Sequence, residues 1–180
     1  MTEGVATLSY LFAVGTLLLF AVMIAVVLWR VATGAWLPRV IARYSEPYLL
    51  WIIAAFGLAS SALSLWYSEV VGFPPCALCW FARTMMYPLA IIGTIAAWRK
   101  DVAAWPYLFA LAVVGMFITG YHHLYQVGYI EGTLCTALND GGDCARRYVY
   151  EFDLVTFPLM GFAVFAAVAL LAWIIRAQEK

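Results

Sequence analysis

The chain has 180 residues, 66% of them hydrophobic and only 11% charged, where a soluble domain carries about 25% charged residues; its mean hydropathy is +0.92. Small folds leave much of their surface exposed, so a chain this short cannot hide so many apolar side chains in one core, and a water-soluble globule is excluded. Ten Lys plus Arg balance ten Asp plus Glu to a net charge of zero, which leaves no basic field to hold nucleic acid.

Lipid is therefore the solvent, and because charges are costly in hydrocarbon, uncharged runs of about 20 residues mark the crossings. The first lies between Glu3 and Arg30, 26 uncharged residues, and predicts a helix over about 7–30. A cleaved signal peptide is the competing reading of this run; the acidic start at Glu3 and the great length speak against it. The second run, 22 residues between Glu46 and Glu69, predicts a helix over about 47–68. The third opens on Gly72, Pro74 and Pro75 and carries one internal charge, Arg83; it predicts a helix over about 76–98. The fourth, 29 residues between Asp101 and Glu131, and the fifth, 22 between Asp153 and Arg176, predict helices over about 103–125 and 154–176. The expected fold class is an all-α integral membrane protein.

Short cytoplasmic loops are enriched in Arg and Lys. Arg30, Arg39 and Arg43, then Arg99 and Lys100, then Arg176 and Lys180 fall in alternate connections, which predicts these three on the cytoplasmic side. The start at Glu3, the loop around Glu69 and the loop from Glu131 to Asp153 then face outward, and all four cysteines lie at or beyond that outer face. Tyr121, Tyr125 and Tyr129, at helical spacing there, read as an interfacial aromatic belt.

The cysteines form two local pairs, Cys76 with Cys79 and Cys135 with Cys144, and spacing alone leaves three disulfide connectivities open. On an oxidising face such thiols form disulfides that the cytosol would reduce. Asn139, Asp140, Gly141 and Gly142 between Cys135 and Cys144 allow a tight reversal, so a local bridge is easy there, in a polar loop exposed to attack by another protein's thiolate. Pro74 and Pro75 place Cys76 and Cys79 in the first turn of a helix, among unsatisfied N–H groups and the positive end of the macrodipole, a setting expected to lower a cysteine pKa and favour the attacking thiolate.

Arg83 stands one turn beyond Cys79 on the same face. Two readings stand: its guanidinium snorkels outward, since it lies only about 10 Å from the helix start, or it stabilises the Cys79 thiolate and the oxygen of a bound electron acceptor. A zinc site is disfavoured, because the second pair is spaced Cys-x8-Cys rather than as a zinc knuckle. Adjacent His122 and His123 point about 100° apart on a helix, so one is expected to face the bundle and the other the interface.

The stretch from Ser68 to Pro88, S-E-V-V-G-F-P-P-C-A-L-C-W-F-A-R-T-M-M-Y-P, together with Tyr121-His122, Gln126 and Phe152 to Pro158, resembles the disulfide bond formation protein B (DsbB) family, and in particular its BdbC-like branch. The resemblance covers roughly residues 45–176. It implies a four-helix transmembrane bundle over 47–176, preceded by an additional N-terminal transmembrane helix and cytoplasmic connector over 1–46 and followed by a short tail over 177–180. It further implies a thiol:quinone oxidoreductase of the bacterial cytoplasmic membrane that reoxidises a soluble thioredoxin-like, DsbA-like thiol oxidase and passes two electrons to ubiquinone or menaquinone. By position, Cys135 would make the mixed disulfide with the partner and Cys144 would resolve it. Cys76 and Cys79 would be the quinone-side pair, with Cys79, Arg83 and His122 beside the ring. Residues 144–152 match the family's short membrane-surface helix. Two rival functions remain: a vitamin K epoxide reductase-like enzyme, against which the order of the two pairs argues, and a membrane scaffold whose disulfides only staple its loops.

Overall fold

The computed structural model describes residues 3–36, 39–130 and 144–178, with backbone alone for 39–46. Among the described residues, five helices are long and apolar enough to cross a membrane. They are α1 (Glu3–Thr33), α2 (Arg39–Leu65), α3 (Ala77–Arg99), α4 (Trp105–Val127) and α5 (Phe157–Gln178), so the expected all-α membrane architecture is present. A π-helical turn, Trp66–Val70, extends α2, and a 3₁₀ turn, Val102–Ala104, leads into α4. At 1.5 Å per residue the 23 residues of α3 reach about 34 Å, enough for the hydrocarbon layer. Helix α2 starts at Arg39, ahead of the uncharged run, and carries Pro47 inside it.

Helices α2 to α5 pack in sequence, with α2 closing back on α5. Short turns enforce this antiparallel order. Lys100 caps α3 in the left-handed conformation, φ 55°, and its N–H returns to the carbonyls of Ala96 and Ala97; Gly128 ends α4 the same way at φ 87°. Between the helices lies one apolar core of Leu50, Ile53, Leu89, Leu108, Phe165 and Val168. Lipid offers no hydrophobic drive for helices to associate, so close approach of backbones supplies dispersion contacts instead. Gly57 permits this between α2 and α3: a Cβ there would stand 2.7 Å from Ala90 Cα. At the cytoplasmic-facing end expected from the charge pattern, Arg176 stacks on Trp105 and Trp173 at 5.2 and 4.4 Å.

The connection to α5 departs from expectation. Residues 144–152 do not form a surface helix. They run through a turn into β1 (Tyr150–Glu151), which pairs antiparallel with β2 (Val155–Thr156). The alternation Tyr148-Val149-Tyr150 suits a strand, and Phe152 and Asp153, at φ 56° and 53°, are the central residues of a turn closed by the Leu154 N–H on the Glu151 carbonyl at 3.1 Å, within the three-residue connection 152–154. Because β2 takes residues 155 and 156, α5 begins at Phe157.

Helix α1 lies outside the ring, packed against α5 and β2. Its buried residues Ser9, Ala13 and Thr16 are small and fall on one stripe, while Leu11, Leu28 and Val31 are exposed.

Gly57→Ala is expected to destabilise the bundle by about 1–3 kcal/mol, because the Ala90 backbone cannot yield to the added methyl. Thermal unfolding in detergent checks this; an unchanged midpoint would contradict the close α2–α3 contact.

Candidate active site

Two prolines keep the chain extended before α3, and Cys76 becomes the N-cap residue, with φ −78° and ψ 171° and its sulfur accepting from the Cys79 N–H at 3.4 Å. Pro74 and Pro75 thus precede the cap rather than form the first turn. One turn on, the Cys79 sulfur lies 2.9 Å from that of Cys76; both are free cysteines, Cys76 buried and Cys79 half-buried.

The expectation of a lowered pKa fails at Cys76. Its thiol hydrogen bond to Cys79 and its burial hold it well above the ordinary thiol range, against a smaller opposing pull from His122. The helix terminus therefore does not make Cys76 the thiolate.

Arg83 does not snorkel: it is 4% exposed. Its Nε donates to Ser64 Oγ at 2.9 Å and its Nη2 to the Ser64 carbonyl at 2.8 Å, while the guanidinium lies over the Trp80 ring at 5.0 Å. These partners are all neutral. The remaining nitrogen, Nη1, is buried without a hydrogen-bond partner, a costly arrangement for a charged donor.

On α4, His122 is buried and His123 half-buried, as their angular separation requires. His122 Nε2 sits 3.7 Å from Cys76 Sγ and 3.1 Å from the Cys144 carbonyl; His123 turns to Thr156 Oγ1 at 2.9 Å. One turn below His122, Gln126 donates to the carbonyls of Cys144 and Arg146, both at 3.2 Å. These bonds hold the chain from Cys144 to Arg146 against α4, beside the start of α3. Cys144 is consequently only 2% exposed and shares a buried cluster with Cys76 and Leu78. It is disulfide-bonded. The expectation of an exposed loop bridge is thus corrected at Cys144, which faces inward; Cys135 lies outside the described residues. Tyr121 and Tyr125 pack on this cluster instead of standing in a belt, and Tyr129 alone of the three is largely exposed.

Cys79, Arg83 and His122 also line a cavity of about 620 Å³ with Tyr67, Phe157 and Met160, within the size of small-molecule sites, about 300–1,000 Å³. Three donor atoms, from Cys76, Cys79 and His122, lie within 4.8 Å of one another and could approach a metal. Two thiolates on one zinc stand about 3.8 Å apart, given Zn–S bonds near 2.3 Å at a tetrahedral angle, so the 2.9 Å separation here suits disulfide exchange better than chelation.

Sequence reasoning missed Ser64. The signal was available: Ser60, Ser64 and Ser68 recur every four residues in an otherwise apolar span, a polar stripe aimed at a neighbour.

The model of the family "Disulfide bond formation protein DsbB" matches residues 45–175. The chain belongs to the DsbB family. It is 34% identical over 128 residues to a probable disulfide formation protein of Metapseudomonas resinovorans, covering 71% of this chain and 87% of the relative. It is 35% identical over 132 residues to one of Oceanobacillus iheyensis, covering 73% and 88%, and 29% identical over 135 residues to Disulfide bond formation protein C of Bacillus subtilis, covering 74% and 94%. No solved structure matches. This DsbB-family member is thus a multi-pass membrane protein with an oxidoreductase role in disulfide formation, and the vitamin K epoxide reductase-like reading falls away.

In the reduced protein, Cys76 should resist iodoacetamide near pH 9, above the ordinary thiol pKa of about 8.5, and Cys79→Ala should move its alkylation midpoint to lower pH. Identical midpoints, read by mass spectrometry of the residue-76 peptide, would contradict the hydrogen bond between the two thiols.

Proposed function

We propose that this DsbB-family protein is a thiol:quinone oxidoreductase that reoxidises a soluble thioredoxin-like thiol oxidase and delivers two electrons from Cys79 to a membrane quinone. One observation carries the reading. A single buried cluster joins Cys144 to Cys76 through His122, and the next sulfur, Cys79, faces an apolar cavity in which Arg83 holds an unused N–H.

The residues fit a quinone: a flat apolar ring suits the cavity walls, and a ring oxygen would satisfy the Arg83 Nη1 donor that nothing among the described residues satisfies. Bound there, a quinone would supply a sink for two electrons and two protons. Everything else falls to the chain. With Cys144 buried against Cys76, a partner thiolate would attack Cys135 and expel Cys144. Cys144 then attacks Cys76, its neighbour, in the Cys76–Cys79 disulfide and releases the Cys79 thiolate. The partner's second thiol displaces Cys135 and the partner departs oxidised. Cys135 next attacks the Cys144–Cys76 bond, which restores the loop disulfide and leaves Cys76 and Cys79 reduced. Cys79 gives up the electron pair, Cys76 re-forms the bridge with it, and Arg83 holds the negative charge as it leaves sulfur.

In this proposal the cysteines face the outer side of a bacterial cytoplasmic membrane, a reading supported by the basic turn at Arg99 and Lys100 and by Arg176 at the other ends of their helices. Exchange steps between thiols are nearly balanced, about 1.4 kcal/mol per 30 mV, so the acceptor sets the direction.

Purified protein given a reduced thioredoxin-like oxidase and a soluble ubiquinone analogue should consume quinone catalytically; no turnover would overturn the proposal and favour stapling disulfides. Arg83→Gln should raise the quinone KM about 10- to 100-fold, the worth of a charged hydrogen bond of about 1.5–3 kcal/mol, with partner exchange unchanged. Equal loss of both would remove Arg83 from the acceptor site. Cys144→Ala should trap the partner on Cys135; an adduct on Cys76 or Cys79 would reverse the roles of the pairs.

A further inference from the structure

Helix α1 lies outside the segment matched by the family, which begins at residue 45, yet it reaches the cavity. Phe12, Gly15, Thr16, Leu18, Leu19 and Val22 all line it. Positions 12, 15, 19 and 22 form one stripe of a helix. The adjacent stripe, Ser9, Ala13, Thr16 and Phe20, docks the helix: the first three are buried, and Phe20 meets Phe162 of α5 at 6.4 Å. The helix is therefore held to the bundle by one face while the neighbouring face looks across open space toward α2 and α3.

The docking is fixed near the cysteines. Ser9 Oγ and Tyr67 Oη share a buried hydrogen bond of 2.9 Å, and Tyr10 contacts Phe152 at 5.4 Å. Tyr67 itself lines the cavity and packs on Phe157 at 4.6 Å, so the bond that anchors α1 ends on a cavity wall. Gly15 shows how the space is kept. A Cβ built there meets nothing within 4 Å, and the position is exposed on the open side of the cavity it lines.

We infer that α1 is a wall of the electron-acceptor site, contributed from outside the family core, and that its 12–15–19–22 stripe receives the apolar body and first prenyl units of a quinone whose ring oxygen reaches Arg83. The inference rests on the proposed quinone chemistry for its occupant. Three features argue for that occupant: the cavity's breadth beyond what one ring fills, its apolar α1 side, and the buried, unpartnered Arg83 Nη1 opposite. A single polar anchor facing a long apolar wall suits a polar head with an oily tail. Without α1 the same face of α2, α3 and α5 would lack this wall, so the added helix deepens the groove along which the tail would lie while leaving its mouth open near Leu18 and Val22.

The test is photolabelling of the full-length protein in detergent with a benzoquinone bearing a short prenyl tail and a diazirine, compared across wild type, Gly15→Leu and Gly4→Leu. Gly4 is on the same helix, also has open space around it, and is not among the residues lining the cavity. Wild type and Gly4→Leu should be labelled within residues 12–22 as well as on the bundle. Gly15→Leu, by filling the space without striking protein, should lose the α1 label and raise the quinone KM at least about fivefold, with partner exchange and kcat little changed. Label confined to α2–α5, or a KM unmoved by Gly15→Leu, would overturn the inference. Labelling needs no turnover, so it separates the two failures: an inactive wild type labelled on α1 refutes the electron-transfer reading and leaves the wall, whereas an active wild type unlabelled on α1 does the reverse.

Discussion

A positive charge buried in a lipid-embedded helix is the constraint around which this protein is built. Arg83 sits 4% exposed in a setting where an isolated charge costs several kcal/mol, and among the described residues its partners are neutral: two hydrogen bonds to Ser64 and the face of Trp80. That is enough to orient the guanidinium but not to saturate it. The leftover N–H fixes where negative charge is welcome, and Cys79, one turn away, is the chain's own group able to bring it. Stability alone would favour an apolar residue at this position, so the residual attraction is best understood as reserved for chemistry.

The second requirement is distance. Thiol exchange demands that sulfurs meet, and Cys144 lies far along the chain from α3. Helix α4 solves this with residues one turn apart. His122 and Gln126 both bind the Cys144 carbonyl, and His122 touches the Cys76 sulfur as well. A main-chain carbonyl cannot titrate or dissociate, so it is a firm handle by which to hold a loop. The result is a graded series from loop to lipid: a sulfur buried under α4, a capping thiol that keeps its proton, and a third sulfur open to the cavity.

Much of this was legible from residue order. The five spans followed from where charges are absent, and the roles of Cys76, Cys79 and Arg83 as neighbours followed from i,i+3 and i,i+4 spacing. Local pattern failed where tertiary contact decides. Whether Arg83 snorkels depends on Ser64 on another helix. Whether the Cys144 bridge is exposed depends on Gln126. The Cys76 thiol is raised by its hydrogen bond to Cys79 and by burial, and no count of positions from a helix start reveals either. The segment before α5 was assigned to a helix by resemblance, while its aromatic and β-branched alternation already favoured a strand. The first helix was the least readable of all, because a uniformly apolar sequence shows no preferred face until its neighbours are known.

The account stands on the transfer of an electron pair from the Cys76–Cys79 dithiol to a quinone, and a single-turnover experiment isolates that step from any partner. The purified protein, reduced at Cys76 and Cys79 with its loop disulfide intact, would be mixed with one equivalent of a short-chain ubiquinone under nitrogen. Quinone absorbance and the thiol content of each cysteine peptide would be followed together. One quinol formed per Cys76–Cys79 disulfide, with Cys144 unchanged, is the predicted result. Quinone persisting beside intact thiols at positions 76 and 79 would contradict it.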